Sequence, residues 1–98
     1  MSKARDRKPY IICVGANGRA VVYGYCDAEP VLGEPCTLHN ARMLLYWAGT
    51  RGLFGVAARG PAPESRITCV VPVTIAEPVQ VLAVTAAAAT ALDEWPDA

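Results

Sequence analysis

The chain has 98 residues and no net charge; 53% of it is apolar and only 18% charged. Globular domains average about 45–50% apolar and about 25% charged, and a chain this short hides only about 60–65% of its unfolded surface. One small domain with surplus apolar surface is therefore expected, and a strongly basic nucleic-acid binder is not.

The charge pattern sharpens that exclusion. The single cluster is SKARDRK at residues 2–8, read as a flexible basic N-terminus over residues 1–9 ahead of one domain over 10–96. Arg19, Arg42, Arg51, Arg59 and Arg66 are scattered. Phosphate backbones need Lys and Arg gathered on one face, whereas isolated arginines suit a compact phosphate ligand through their planar fork of donors.

YIICVGANGRAVVYGYC, residues 10–26, reads as a β-hairpin around Asn17-Gly18. A two-residue loop there sets Cys13 opposite Val22, Ile12 opposite Tyr23 and Tyr10 opposite Tyr25. Ile12, Val14, Val21 and Tyr23 then share one face, and Ile11, Cys13 and Val22 the other. Both faces are apolar, so both need cover, one of them from a second subunit.

DAEPVLGEP is a turn-rich connection and CTLH a short third strand. Asn40 resembles an N-cap to a helix over Ala41–Ala48, with Gly49 just past its end. On that helix Ala41, Leu44, Leu45 and Ala48 share the core face. Met43 and Trp47 form a second apolar face, the kind of patch that marks an interaction site, and a homodimer is the commonest way to cover it.

TRGLFGVAARG reads as a second short helix capped by Thr50, PAPES as a loop, and RITCVVPVTIAEPVQVLAV as two strands broken by proline. Thr85 caps a last helix that ends near Glu94, where WPDA stops it. The whole is α+β: a small, mostly antiparallel sheet of four or five strands packed with two or three short helices.

Reactive groups are sparse. His39 is the only imidazole, the four cysteines form no CxxC, and no phosphate-cradling glycine pattern occurs. A zinc site, a metal or other cofactor, and a nucleophile–base pair are not expected, so the chain reads as a non-enzyme. The opening residues lack the apolar core of a secretory signal and no apolar run reaches ~20 residues. A cytoplasmic address with reduced thiols and no membrane is expected. A binding reading rests on Arg42 at the expected helix start, where free N–H groups favour an anion, with Arg51 for phosphate and Tyr46 or Trp47 to stack a base. Arg66 beside the PAPES loop is a weaker candidate. The plainer reading makes Tyr46 and Trp47 core or interface.

NARMLLYWAG, RITCVV, VQVLAVTAAAA and EWP together resemble a small family of phage and prophage proteins with the pattern ARRIWYWxGA, KFPCxV, E-I-I-P-x-T-E-x-A and VPVW. That family is similar to phage sponges that sequester cyclic nucleotide signals of bacterial defence, cyclic ADP-ribose isomers in Thoeris and cyclic oligonucleotides in CBASS. The resemblance implies a homo-oligomeric sponge in the cytoplasm of an infected host, binding without cleavage, with Arg42, Tyr46, Trp47, Arg51 and Arg66 as ligand residues. The chain departs from the pattern at Cys13 and Met43, where relatives carry Arg, and at Ile67, where they carry Phe. The alternative is a phage structural or protein–protein interaction module with no small-molecule ligand; a small nucleic-acid accessory protein is a third reading.

Overall fold

The computed structural model describes residues 7–14, 20–47, 52–75 and 78–97. Six strands and two helices form among them, in the order β1 (Lys8–Val14), β2 (Ala20–Cys26), β3 (Cys36–Tyr46), α1 (Gly52–Arg59), β4 (Arg66–Ile67), β5 (Val71–Ile75), β6 (Pro78–Ala83) and α2 (Ala86–Glu94). The fold is α+β with a mostly antiparallel sheet and an N-terminal hairpin, as the sequence pattern predicts.

β1 and β2 pair with Cys13 opposite Val21, Ile12 opposite Val22 and Ile11 opposite Tyr23. This register lies one residue from the expected one. A one-residue slip exchanges the faces: Ile11, Cys13, Val21 and Tyr23 now lie together, and Tyr10, Ile12 and Val22 lie opposite. The last described pair is Val14 with Ala20. Asn17 and Gly18 themselves lie outside the described residues. β1 starts at Lys8 and Arg7 bonds Asp27 (Nε to Oδ1, 2.8 Å), so the ordered domain begins before residue 10.

The largest difference concerns the helix expected over residues 41–48. Residues 41–46 are strand instead: β3 runs on to Tyr46. Leu, Met, Ala and Arg favour helices in isolation, but β2 has an open edge that needs hydrogen-bond partners, and tertiary pairing overrides propensity. Val22 pairs with Met43 and Tyr23 with Arg42. From Arg42 on, burial alternates with period two: Arg42 and Leu44 in, Met43 and Leu45 out. Asn40 is not an N-cap. Its φ of 52° marks a bulge, where Asn40 and Ala41 together face Gly24 between the Tyr23–Arg42 and Tyr25–His39 pairs. Asn tolerates the left-handed conformation better than most residues. Ala48, Gly49 and Thr50 lie outside the described residues.

The bulge bends β3, and the bend curls the sheet. The strand order is β4-β3-β2-β1-β6, with β5 also on β3. β5 pairs with the first half of β3, β6 pairs with β1, and only two residues separate β5 from β6 in sequence. One bent chain segment thus bridges the two edges of the sheet. Inside the curl lie Tyr10, Ile12, Val22, Cys26, Leu38, Ala41 and Ile75. The opposite face carries Ile11, Cys13, Val21, Tyr23, Leu44 and Ile67 under both helices, through Val56, Ala57, Ala88, Ala89 and Leu92. Both hairpin faces are therefore covered within one chain, and no second subunit is needed to hide them.

The helices dock as expected from their small residues. The Thr85 hydroxyl accepts from the Ala88 N–H and donates to the Ala58 carbonyl (2.8 Å), capping α2 and tying it to α1. Gly60 ends α1 with φ 91°, its N–H on the Val56 carbonyl (2.8 Å).

Gly24 is the tightest point of the curl: a Cβ there would sit 2.9 Å from Leu38 Cβ and 3.3 Å from Ala41 Cα. Neither atom can swing away. Gly24→Ala is expected to cost about 1–3 kcal/mol, read as a lower urea midpoint with an unchanged slope. A stability within 0.3 kcal/mol of wild type, roughly the additivity error of such comparisons, would show that β3 does not cross here so closely.

Candidate functional site

The five residues expected to bind a ligand fall into three groups. Arg42 is buried, 2% exposed. Its Nε donates to the Thr68 carbonyl (2.7 Å), one terminal nitrogen to the Leu92 carbonyl (2.8 Å), and the other to Asp97 Oδ1 (2.9 Å). The Arg42 terminal nitrogen that bonds Leu92 also reaches the Asp93 carbonyl at 3.5 Å. These carbonyls close α2, which has no basic residue in its last turn. Arg42 therefore supplies both missing donors and the positive charge that a helix C-terminus favours. It has no donor edge left for a ligand phosphate. The expected role is corrected: with β3 extended, position 42 points into the helix layer instead of out from a helix start.

Trp47 is half-buried and packs on the same core, so it offers less face than expected. Arg51 lies outside the described residues. Tyr46 and Arg66 are brought together. They are directly paired across β3 and β4, which places them on one face. The register irregularity between Leu44 and Tyr46 takes Tyr46 out of the inward alternation and leaves it 51% exposed.

Arg66 stands between two shallow hollows. One, about 650 Å³, is lined by Leu45, Tyr46, Glu64 and Arg66. The other, about 570 Å³, is lined by Pro63, Ser65, Arg66, Trp95, Pro96 and Asp97. A turn closed by the Ser65 N–H on the Ala62 carbonyl (2.9 Å) presents the Glu64 and Arg66 flanks. The Trp95 indole N–H donates to the Ser65 carbonyl (3.0 Å), and Asp97 bridges to Ile67, so the tail after α2 forms one wall. Arg66 is exposed, with no side-chain hydrogen bond or ion pair among the described residues. Ser65 Oγ is buried and has no hydrogen-bond partner among the described residues.

The two hollows share the Arg66 guanidinium; one adds Tyr46 and the Glu64 carboxylate, the other Trp95 and the Asp97 carboxylate, which is already paired with Arg42. Together they can pair an anion, stack a planar ring and accept from an amino group. Nothing in them pairs a nucleophile with a base. Among the described residues no three His, Cys, Asp or Glu side chains gather as metal ligands. The sequence pointed to Arg66 and Tyr46, which the fold places side by side, and gave no sign of Ser65. The only linear sign of Trp95 was an aromatic residue directly after a helix and before proline.

A second polar cluster lies on the helix face. Tyr23 and Tyr25 stand edge to face, ring centres 5.8 Å apart, and donate to the two oxygens of Asp93 at 2.9 and 2.5 Å. Burial, then the bonds to Tyr25 and Asp93, push the Tyr23 hydroxyl well above the tyrosine range; burial and then Asp93 raise Tyr25.

Two outcomes follow from these clusters. Arg42→Met leaves the Thr68, Leu92 and Asp93 carbonyls without this donor and the exposed Asp97 carboxylate without its partner, and is expected to cost about 3 kcal/mol, as for buried acceptors left unsatisfied; a loss under ~1 kcal/mol in urea unfolding would free Arg42 for a ligand role. The tyrosine pair acts in the opposite direction on pH from a carboxylate. Because its fold-state pKa is raised, its stabilisation is complete below about pH 10 and is lost as the pH rises from there through the raised value. Alkaline unfolding should therefore track tyrosinate absorbance, and Tyr23→Phe should flatten that part of the stability profile.

Set against known proteins, residues 8–92 match the family described as Domain of unknown function (DUF6948). No curated protein and no solved structure matches the chain. Within the described residues no helix is long and apolar enough to cross a membrane.

Proposed function

The chain belongs to the DUF6948 family, and we propose that it is a non-catalytic binding protein whose groove around Arg66 holds a cyclic nucleotide. The observation that carries this reading is the free Arg66 guanidinium, set beside Tyr46 on the same sheet face and close to Trp95. Arg66 would pair with phosphate, Tyr46 would stack the base, and Glu64 would accept from a base amino group. The absence of a nucleophile–base pair in the groove fits holding over cleavage. The motif resemblance extends the reading to a phage sponge that sequesters a cyclic oligonucleotide or cyclic ADP-ribose signal, with the ligand kept intact.

A second reading has its own support. Met43, Leu45, Val70 and Val71 are each 40–52% exposed, and the main-chain bond from Thr68 to Met43 (3.0 Å) and the Ala41–Val71 pairing hold them along β3. A protein partner or a second copy would gain from covering them.

A thermal-shift panel of cyclic di- and trinucleotides and cyclic ADP-ribose isomers separates the two. A true ligand at ~100 times its Kd stabilises by about 2.7 kcal/mol, and ~1 kcal/mol moves the midpoint of a small domain by roughly 4–8 °C. Arg66→Ala should abolish the shift while leaving the unliganded midpoint in place, because Arg66 has no internal partner to lose. A flat response across the panel, with a concentration-dependent mass in light scattering, would replace the nucleotide reading with the interaction-module one.

A further inference from the structure

Cys26 ends β2 and Cys36 begins β3, one at each neck of the loop over residues 27–35. Tyr25 faces His39; continued one step, that register puts Cys26 opposite Leu38 and makes Cys36 its diagonal neighbour on the same sheet face. Both belong to the cluster inside the curl, Cys26 fully buried and Cys36 partly exposed. Both line the cleft under the loop with Asp27, Glu29 and Glu34. The loop is pinned: Glu34 N–H bonds the Val31 carbonyl (3.1 Å) and Gly33 N–H the Pro78 carbonyl (3.0 Å). The necks therefore have little freedom to part. No role in the Arg66 groove is available to either cysteine, since the cleft is lined by different residues.

We propose that Cys26 and Cys36 are a reversible dithiol–disulfide pair that staples the β2–β3 loop when a small disulfide oxidant is present. Cys36 is the reachable member and reacts first. Its thiolate attacks one sulfur of the oxidant, the Cys36–oxidant disulfide forms, the oxidant's own S–S bond breaks, and one thiolate leaves. Cys26, once deprotonated, attacks Cys36 Sγ. The Cys26–Cys36 bond forms and the second thiolate departs. Two protein thiols are oxidised, one disulfide is reduced to two thiols, and the two protons given up by Cys26 and Cys36 end on the two leaving thiolates. Burial pushes the Cys26 thiol up to about 12, and burial also raises Cys36. The second step is accordingly the slow one and speeds up with pH.

The test is titration of the reduced wild-type protein with oxidised glutathione, followed by non-reducing peptide mapping. The expected product has lost two hydrogens, carries a Cys26–Cys36 linked peptide, returns to the dithiol with dithiothreitol, and unfolds at a temperature higher by roughly 10 °C. Cys26→Ala should stop at a glutathione adduct on Cys36, and Cys69→Ser should leave the internal bond unaffected. Free Cys26 and Cys36 under conditions that modify the exposed Cys69, or an adduct on Cys36 that Cys26 never displaces in wild type, would overturn the pairing. So would a disulfide formed only between chains.

Discussion

The arrangement of this small domain depends on a buried guanidinium. Arg42 joins four separate pieces of chain: β3, the segment at Thr68, the end of α2 and the tail at Asp97. An uncompensated charge at that depth would be costly, and here the guanidinium meets the Thr68 carbonyl, the Asp97 carboxylate and the carbonyls that end α2. Carbonyls at a helix end have no intrahelical partner, and α2 is nine residues long with five alanines, so it has few side chains of its own to close it. The arginine supplies from the sheet what the helix lacks, and fixes where the tail runs afterwards.

That placement also decides which charge faces outward. With Arg42 taken up inside, Asp97 is drawn to the same knot, and Trp95 is held against Ser65. These contacts build one wall of the groove, and Arg66, on the neighbouring strand, is a cation beside it with no ion pair among the described residues. The structural arginine and the available one are thus linked: the first orders the surface on which the second stands. The Ser65 hydroxyl lies on the same wall.

The curl of the sheet has a separate cause. A glycine opposite a bulge lets β3 cross β2 closely, and the segment from β5 to β6 then reaches from one sheet edge to the other. Edge strands with open hydrogen-bonding groups invite association. Here the first and third strands are paired on both sides, with β4, β5 and β6 taking up their outer edges. The excess of apolar residues in so short a chain is spent mostly on two internal layers, one inside the curl and one under the helices.

How much of this was legible in the sequence divides along physical lines. Local signals carried the hairpin, the Thr85 cap, the short helix at Gly52–Arg59 and the end of α2, because each depends on neighbours within a few residues. The pattern of large apolar side chains also required two covered sheet faces, and both exist. Residues 41–46 were misread because their helix propensity is intrinsic while their strand state comes from the open edge of β2, some twenty residues earlier in the chain. The hairpin register differs by one from the one Asn17-Gly18 suggests, because register is also fixed by the pairing of β1 with β6 and of β2 with β3. Arg42 and Arg66 look alike in sequence, both being single arginines amid apolar residues. Only the fold separates them, since whether a side chain points inward depends on strand phase, and strand phase is fixed by pairing with distant residues. The sequence by itself determined which residues had to be hidden and where short elements begin and end; the tertiary structure decided which arginine holds the protein together and which is left facing solvent.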